Sequence, residues 1–539
     1  MGSRRRRPSQ SMMLPLDIHR QPGPRRKFIR QVFAWLTCVG SVPLFAAEAP
    51  MAIGSQRELF VDDALIERLT GNAELRLHHP EPREIALVHD APWEGSGCVY
   101  HSVFRDGDRY RMYYRTCQID VSAKGVSLNA HPQFLCYAES EDGIRWRKPE
   151  LGLHDFKGST SNNIAIPSGN LGEVTVDAGS PAVFKDENPA APQEARYKAL
   201  LRSSGVKGLI AFQSADGLHW SPLQTDPVIT AGAFDSQNLA FWDAARGEYR
   251  AYWRIFTAGV TEATNWKPGG YRAIRTATSA DFVHWTHQAD LVYADSPNEH
   301  LYTNQVKPYD RAPQLLLGLP TRYVDRGWSQ SARALPDRES REQRAAANQR
   351  YGTAVTEGLF MASRDGVHFK RWNEAFLRPG IERTGTWNYG QQYIGWQMVE
   401  TKSALEGAPN ELSLYATENY WLGTASALRR YALRLDGFVS LNASTKGGDL
   451  VTKPLTFAGG KLVLNFSTSA AGSVRVELQD AAGQPLPGYT LEDCEETFGD
   501  SVERPVVWKA GTDVTSLAGK SVRLRFVLQD ADVYAFRFQ

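Results

Sequence analysis

An all-β fold, built as a five-bladed β-propeller followed by a small β-sandwich, is predicted by three features of this 539-residue chain. A Ser-x-Asp turn recurs four times at blade-sized spacing, an alternating strand precedes each copy, and no stretch holds a long helical periodicity. The turns begin at Ser140, Ser214, Ser279 and Ser363, carry Asp142, Asp216, Asp281 and Asp365, and close on Trp146, Trp220, Trp285 and Phe369. Their closing aromatics lie 74, 65 and 84 residues apart, which is too long for a helical solenoid repeat and suits a four-stranded blade with long loops. An Asp in such a turn accepts hydrogen bonds from nearby amides, a Gly supplies positive φ, and the aromatic plugs the gap beside the next sheet.

The second strand of each blade is expected at 110–115, 197–202, 249–254, 314–322 and 412–418, where the first three copies read Tyr-[Arg/Lys]-x-x-x-Arg. Each follows an apolar inner-strand candidate, at 99–105, 180–185, 238–242, 304–308 and 393–399. The fifth blade is expected to end with 428–435 and 438–441. The segment from Glu58 to Asp63 is expected to complete it and close the ring, since closure removes sheet edges. A polar stretch at 325–350 reads as an insertion in the fourth blade, as a short helix or a lid. Beyond Gly447 and Gly448 the period-two runs 462–466, 474–478 and 522–526 are followed by no further blade turn. The propeller is therefore placed at 52–443 and the sandwich at 444–539.

Residues 1–49 read as an export signal. Arg25, Arg26, Lys27, Phe28 and Ile29 precede an apolar run from Val32 to Ala47 that Gly40 and Pro43 break, making it too short to span a bilayer. The arginine pair resembles a twin-arginine address, with an ordinary signal peptide as the alternative. The mature protein is expected to be secreted or periplasmic, without a membrane anchor, and monomeric. Nine of the 61 basic residues but only two of the 60 acidic ones fall in this segment, leaving 52 against 58 in the mildly acidic remainder. That balance argues against nucleic acid as a partner. Of five cysteines, Cys98, Cys117, Cys136 and Cys494 remain after export. They read as buried thiols, with a Cys98–Cys117 or Cys117–Cys136 bridge as the alternative. Their spacing suits no metal, and neither a metal nor a cofactor is expected.

The stretches 59–63, 107–114, 234–241 and 433–438 give the chain a resemblance to secreted five-bladed propellers of the glycoside hydrolase type, the broad group of families 32, 43, 62 and 68, and to family 32-like and 43-like proteins in particular. The resemblance implies a propeller fold and glycosidase activity on a polysaccharide or oligosaccharide. In those families an acidic residue opens the inner strands of the first three blades. Here the first such place holds Tyr100 or His101, the second lies near Ala182 with Asp177 upstream, and only the third, at Asp235, has a carboxylate in register.

An antiparallel second strand ends where the first begins, so both ends reach the same mouth of the ring. Glycosidic cleavage needs two carboxyl groups flanking the bond. Asp235 is the first candidate and Glu94 its expected partner, with Glu418 and Asp177 in reserve. Arg115, Arg202, Arg254 and Arg322 at second-strand ends are candidates for binding an anionic or sulfated glycan; the competing reading makes each a strut paired with an acid of a neighbouring blade. Trp93, Trp387 and Tyr302 are candidate stacking platforms, and His101 a candidate substrate ligand or proton carrier. Against the enzyme stand a non-catalytic glycan-binding propeller, expected to show aromatics and arginines at the mouth without a facing acid pair, and a protein-interaction scaffold.

Overall fold

The alternating segments become strands, and the chain is all-β in a computed structural model that describes residues 49–539 apart from 123, 128–129 and 263–264. The export signal expected at 1–49 lies outside the described residues but for its last one. No helix among the described residues is long and apolar enough to cross a membrane.

Five antiparallel sheets of four or five strands each follow one another along the chain. The first holds Val99–Asp106, Arg109–Thr116, Phe134–Ser140 and Ile164–Pro167 in sequential order. The second is built on Val174–Lys185, Tyr197–Ser203 and Leu209–Ser214, and the third on Leu239–Asp243, Glu248–Glu262, Asn265–Ser279 and Thr286–Asp290. In the fourth, the strand expected at 314–322 divides in two. Ala312–Gly318 stays in the sheet with Met361–Ser363, while Thr321–Asp325 turns off to pair with Ala354–Gly358. The fifth contains Val399–Thr401, Glu411–Glu418 and Ala427–Arg434.

The closing strand is not the expected one. Glu81–Val88 completes the fifth sheet, with Leu87 opposite Leu428, whereas Glu58–Leu59 pairs with Val522–Phe538 in an eight-stranded sheet. That sheet unites both ends of the described chain: Met51–Gly54 runs parallel to Leu455–Phe457, and Ile66–Leu77 pairs with Val439–Thr452. Residues expected in the fifth blade at 438–441 therefore belong to the eight-stranded sheet, which also draws in residues 51–77 from the segment expected to open the propeller. The runs at 462–466 and 474–478 are one strand, Leu462–Asp480, whose register shifts between Thr468 and Ser473.

Core contacts close on themselves. One apolar cluster joins the first and second sheets through Tyr113, Phe212 and Trp220, and another joins the second, third and fourth through Phe184, Tyr252 and Phe369. A third joins the fourth and fifth through Leu317 and Leu414, and a fourth returns from the fifth to the first through Tyr415 and Met112. Each Ser-x-Asp turn is held as its chemistry dictates. Asp216 accepts from the amides of Leu218 and His219 at 2.8 and 2.9 Å, and Asp142, Asp281 and Asp365 repeat the arrangement. Cys98, Cys117, Cys136 and Cys494 are buried and form no disulfide.

Where the inner strands begin, buried amides tie the five sheets together. The Gln237 side chain donates to Tyr100 O, Gln305 donates to both Gln237 Oε1 and Ile394 O, and the Val183 amide donates to Ser102 Oγ. Buried amide groups are costly unless satisfied, so these bonds fix how the sheets meet. The insertion at 325–350 forms three short helices, Gln330–Ala334, Arg338–Ala347 and Gln349–Thr353. Arg341 and Arg344 face inward, Arg341 donating to Pro336 O, Gly352 O and Trp387 O and Arg344 to Asn388 Oδ1, while the middle helix lies against the hairpin of Asp120–Ser122 and Gly125–Ser127.

Candidate functional site

Inner-strand starts and second-strand ends converge on one tyrosine-rich centre. Tyr100, Tyr302, Tyr389, Tyr393 and Tyr420 are all buried there, with the Tyr302 and Tyr393 rings 5.3 Å apart and nearly parallel. Tyr389 donates its hydroxyl to Tyr302 at 3.1 Å, and the Tyr100 hydroxyl donates to the backbone oxygen of Asp235 at 3.4 Å. The Arg254 guanidinium lies 4.9 Å and that of Arg272 5.4 Å from the Tyr302 ring centre. Burial alone would raise the Tyr302 hydroxyl, but Arg254, the Tyr389 hydrogen bond and Arg272 outweigh it and bring it down to about 8. Tyr100 and Trp421 hold positive φ, a strained backbone for a bulky side chain that the surrounding packing has to maintain.

The expected ring of free arginines is not formed. Arg202 pairs with Asp177 at 2.9 Å, directly across the second sheet, and Arg254 pairs with Asp235. Arg322 pairs with Glu357 at 2.6 Å on the adjacent strand and with Glu299 at 3.2 Å. Each acid belongs to the arginine's own sheet or the segment leading into it rather than to a neighbouring sheet. Arg115 instead donates to Gly97 O at 2.6 Å and to the Tyr420 hydroxyl at 3.0 Å.

Of the four candidate carboxylates, two share a cavity. Asp177 and Asp235 line one open cavity of about 460 Å³ with Arg202, Lys207, Thr261 and Trp266. Glu94, the expected partner of Asp235, is fully buried elsewhere, accepting from the Tyr114 hydroxyl at 2.6 Å, the Lys148 ammonium at 2.6 Å and the Ala91 amide at 2.9 Å. Glu418 is equally enclosed, between Arg383 and Arg429. Both acids brace the frame and neither faces the cavity.

Of the other candidates, His101, Trp93 and Tyr302 are held as structure, and Trp387 lies away from the Asp177–Asp235 cavity. His101 is buried, its Nε2 3.1 Å from His89 Nε2, and burial first and then His89 and Arg115 hold it well below the usual histidine range, so it stays neutral. Trp93 donates to Asn163 Oδ1 at 2.6 Å and packs edge-on against Phe156. Trp387 lines a separate cavity of about 450 Å³ under the helical insertion, beside Arg341 and Pro379. Tyr302 is embedded among other tyrosines rather than presented as a platform.

Sequence reasoning missed Trp266. The hairpin of Glu248–Glu262 and Asn265–Ser279 runs past Arg254, where the repeat ends, and carries this indole to the cavity. It also missed the buried amides of Gln237, Asn238, Asn304 and Gln305, whose signal was the recurrence of Asn/Gln pairs just before inner strands.

No family model and no curated protein matches the chain. Among solved structures it is similar to the catalytic domain of a Coprinopsis cinerea GH62 alpha-L-arabinofuranosidase, at 9% identity and a TM-score of 0.40 over 67% of this chain and 99% of that one. It is also similar to an endo-arabinase from Bacteroides thetaiotaomicron, at 11% identity and a TM-score of 0.36 over 66% and 98%. An N-acetylgalactosamine deacetylase from F. plautii in complex with blood group B trisaccharide aligns at 12% identity, with a TM-score of 0.38 over 67% and 95%.

Proposed function

We propose that this protein is an exported five-bladed β-propeller, braced by a β-sandwich, that hydrolyses glycosidic bonds, with Asp177 and Asp235 as its reacting carboxyl groups. The observation that carries the reading is their shared position on one open cavity beside an exposed indole. Cleavage asks one carboxyl to protonate the leaving oxygen and the other to act as nucleophile or as base for water; roughly 5–5.5 Å between them gives retention and roughly 6.5–9.5 Å inversion. In support of the ring, core clusters link every sheet to the next and the fifth to the first. Export rests on the basic and apolar pattern of residues 1–49; fusing that segment to a reporter and following the reporter to the periplasm or medium tests it.

The decisive experiment is a turnover screen of the mature protein on neutral, uronate and sulfated glycans, with Asp235→Asn and Asp177→Asn in parallel. Product release that either substitution reduces by at least about 10³-fold supports the assignment. Release that neither alters removes it.

A second reading, glycan binding without catalysis, is favoured by one specific observation. Both cavity carboxylates are already engaged by arginines, Asp177 by Arg202 and Asp235 by Arg254. On that reading a glycan binds the folded protein and no bond is cut.

A further inference from the structure

The cavity wall carries two features that hydrolysis alone does not require. Trp266 is 47% exposed, and its indole is steadied by Phe256, whose ring lies 6.2 Å away at 89°. A large aromatic left about half in water at the lip of a cavity forgoes about half of its burial free energy. The flat apolar C–H face of a pyranose recovers that area when it stacks on the ring.

The second feature is electrostatic. Asp177 and Arg202 neutralise each other, and Asp235 is neutralised by Arg254 from behind. Lys207 also lines the cavity and has no ion pair among the described residues, so the wall carries one uncompensated positive charge. The turn that presents it is fixed: Gly208 sits at φ +147°, and a Cβ there would meet Pro227 Cβ at 2.5 Å and Ile229 O at 2.9 Å. A lysine ammonium on a cavity wall whose other charges are paired suits a ligand anion.

We infer that the cavity receives an acidic sugar, a pyranose bearing a carboxylate or sulfate, with its ring face on Trp266 and its anionic group on Lys207. This rests on the glycan reading above and adds the chemical class of the sugar and the residues that select it. The anion enters through Lys207, not through the expected ring of arginines, whose charges are taken up within the frame.

Titration calorimetry of the mature protein with an oligogalacturonate, a sulfated galactan oligosaccharide and a neutral galactan oligosaccharide of equal length tests this. At least one acidic oligosaccharide is expected to bind about tenfold or more tightly than the neutral one, and the stronger of the two names the anion. Lys207→Gln is expected to erase that preference while leaving the neutral affinity unchanged. Trp266→Ala is expected to weaken all binding about tenfold, with Trp266→Phe keeping most of it. Both positions are at the surface, and unchanged thermal unfolding confirms that the variants fold. Neutral and acidic ligands bound equally, with Lys207→Gln silent, would overturn the acidic-sugar inference and leave the glycan reading standing. A wild-type protein that binds none of the three would overturn both.

Discussion

Asp235 and Arg254 form an ion pair across which solvent access changes abruptly, the aspartate side chain being 47% exposed and the arginine side chain 3%. The pair is therefore asymmetric. Replacing the acid strands a buried guanidinium, whereas replacing the arginine leaves a carboxylate that water still reaches.

Asp235→Asn is accordingly expected to lower stability by about 1–2 kcal/mol, less than the roughly 3–5 kcal/mol for breaking a fully buried pair, because solvent screens the exposed side. Urea unfolding monitored by tryptophan fluorescence measures it. Turnover by this variant is then to be expressed per folded molecule, since part of any loss comes from unfolding.

Tyr302 is expected to titrate first among the central tyrosines. Its hydroxyl is brought down to about 8, while burial pushes those of Tyr100, Tyr389 and Tyr393 up. Absorbance near 295 nm should show one tyrosinate forming around pH 8 in the native protein and none there in Tyr302→Phe. A folded value below the unfolded value of about 10 means that the ionised ring favours the folded state. The stability of wild type relative to Tyr302→Phe should thus be flat below pH 8, rise as pH passes from 8 to 10, and stay at its higher value above. A difference that falls over that window would contradict the role given to Arg254 and Arg272.

The repeat turns predict an acid response. Burial works to raise the Asp365 carboxyl, but the amides of Val367 and His368 and the His368 ring outweigh it and hold it at about 2. Its stabilising contribution is present above the unfolded value near 3.8 and is lost as pH falls through about 2. Asp365→Asn should cost about 1 kcal/mol at pH 7, the side chain being half exposed, and should flatten the fall in stability between pH 4 and pH 2. Acid titration of the two proteins followed by circular dichroism checks the difference.

The same turns explain why so much of the frame is legible in the chain. A Ser-x-Asp turn is satisfied by amides two and three residues on, so its pattern survives in any sequence window. The closing strand is illegible for the opposite reason. Glu81–Val88 lies at a sheet edge with most of its side chains in water and Pro82 near its start, which removes the alternation that marks a buried strand. Glu58 to Val61 reads as the better strand because it is apolar at Leu59, Phe60 and Val61; Leu59 and Val61 do pack beside the fourth and fifth sheets, but the backbone of Glu58–Leu59 pairs with Val522–Phe538 instead. At the site, Asp177 and Asp235 were reachable from strand register. Their pairing with arginines was one of two readings the chain leaves open, because Arg202 and Arg254 recur with the same phase whether they face a ligand or a carboxylate; which acid each meets was not legible.

Glu94 separates a structural carboxylate from a reacting one by experiment. Glu94→Gln leaves the Lys148 ammonium without its closest buried counter-charge and disturbs the Tyr114 hydrogen bond, although Asp90 remains 3.0 Å from the same ammonium. A loss of about 3 kcal/mol is expected, seen as a lower unfolding midpoint in urea. Because Glu94 does not reach the cavity, the fraction that stays folded should turn over glycan at the wild-type rate, in contrast to Asp235→Asn. Turnover that collapses in fully folded Glu94→Gln would move the chemistry from the Asp177–Asp235 cavity to the buried ammonium pair.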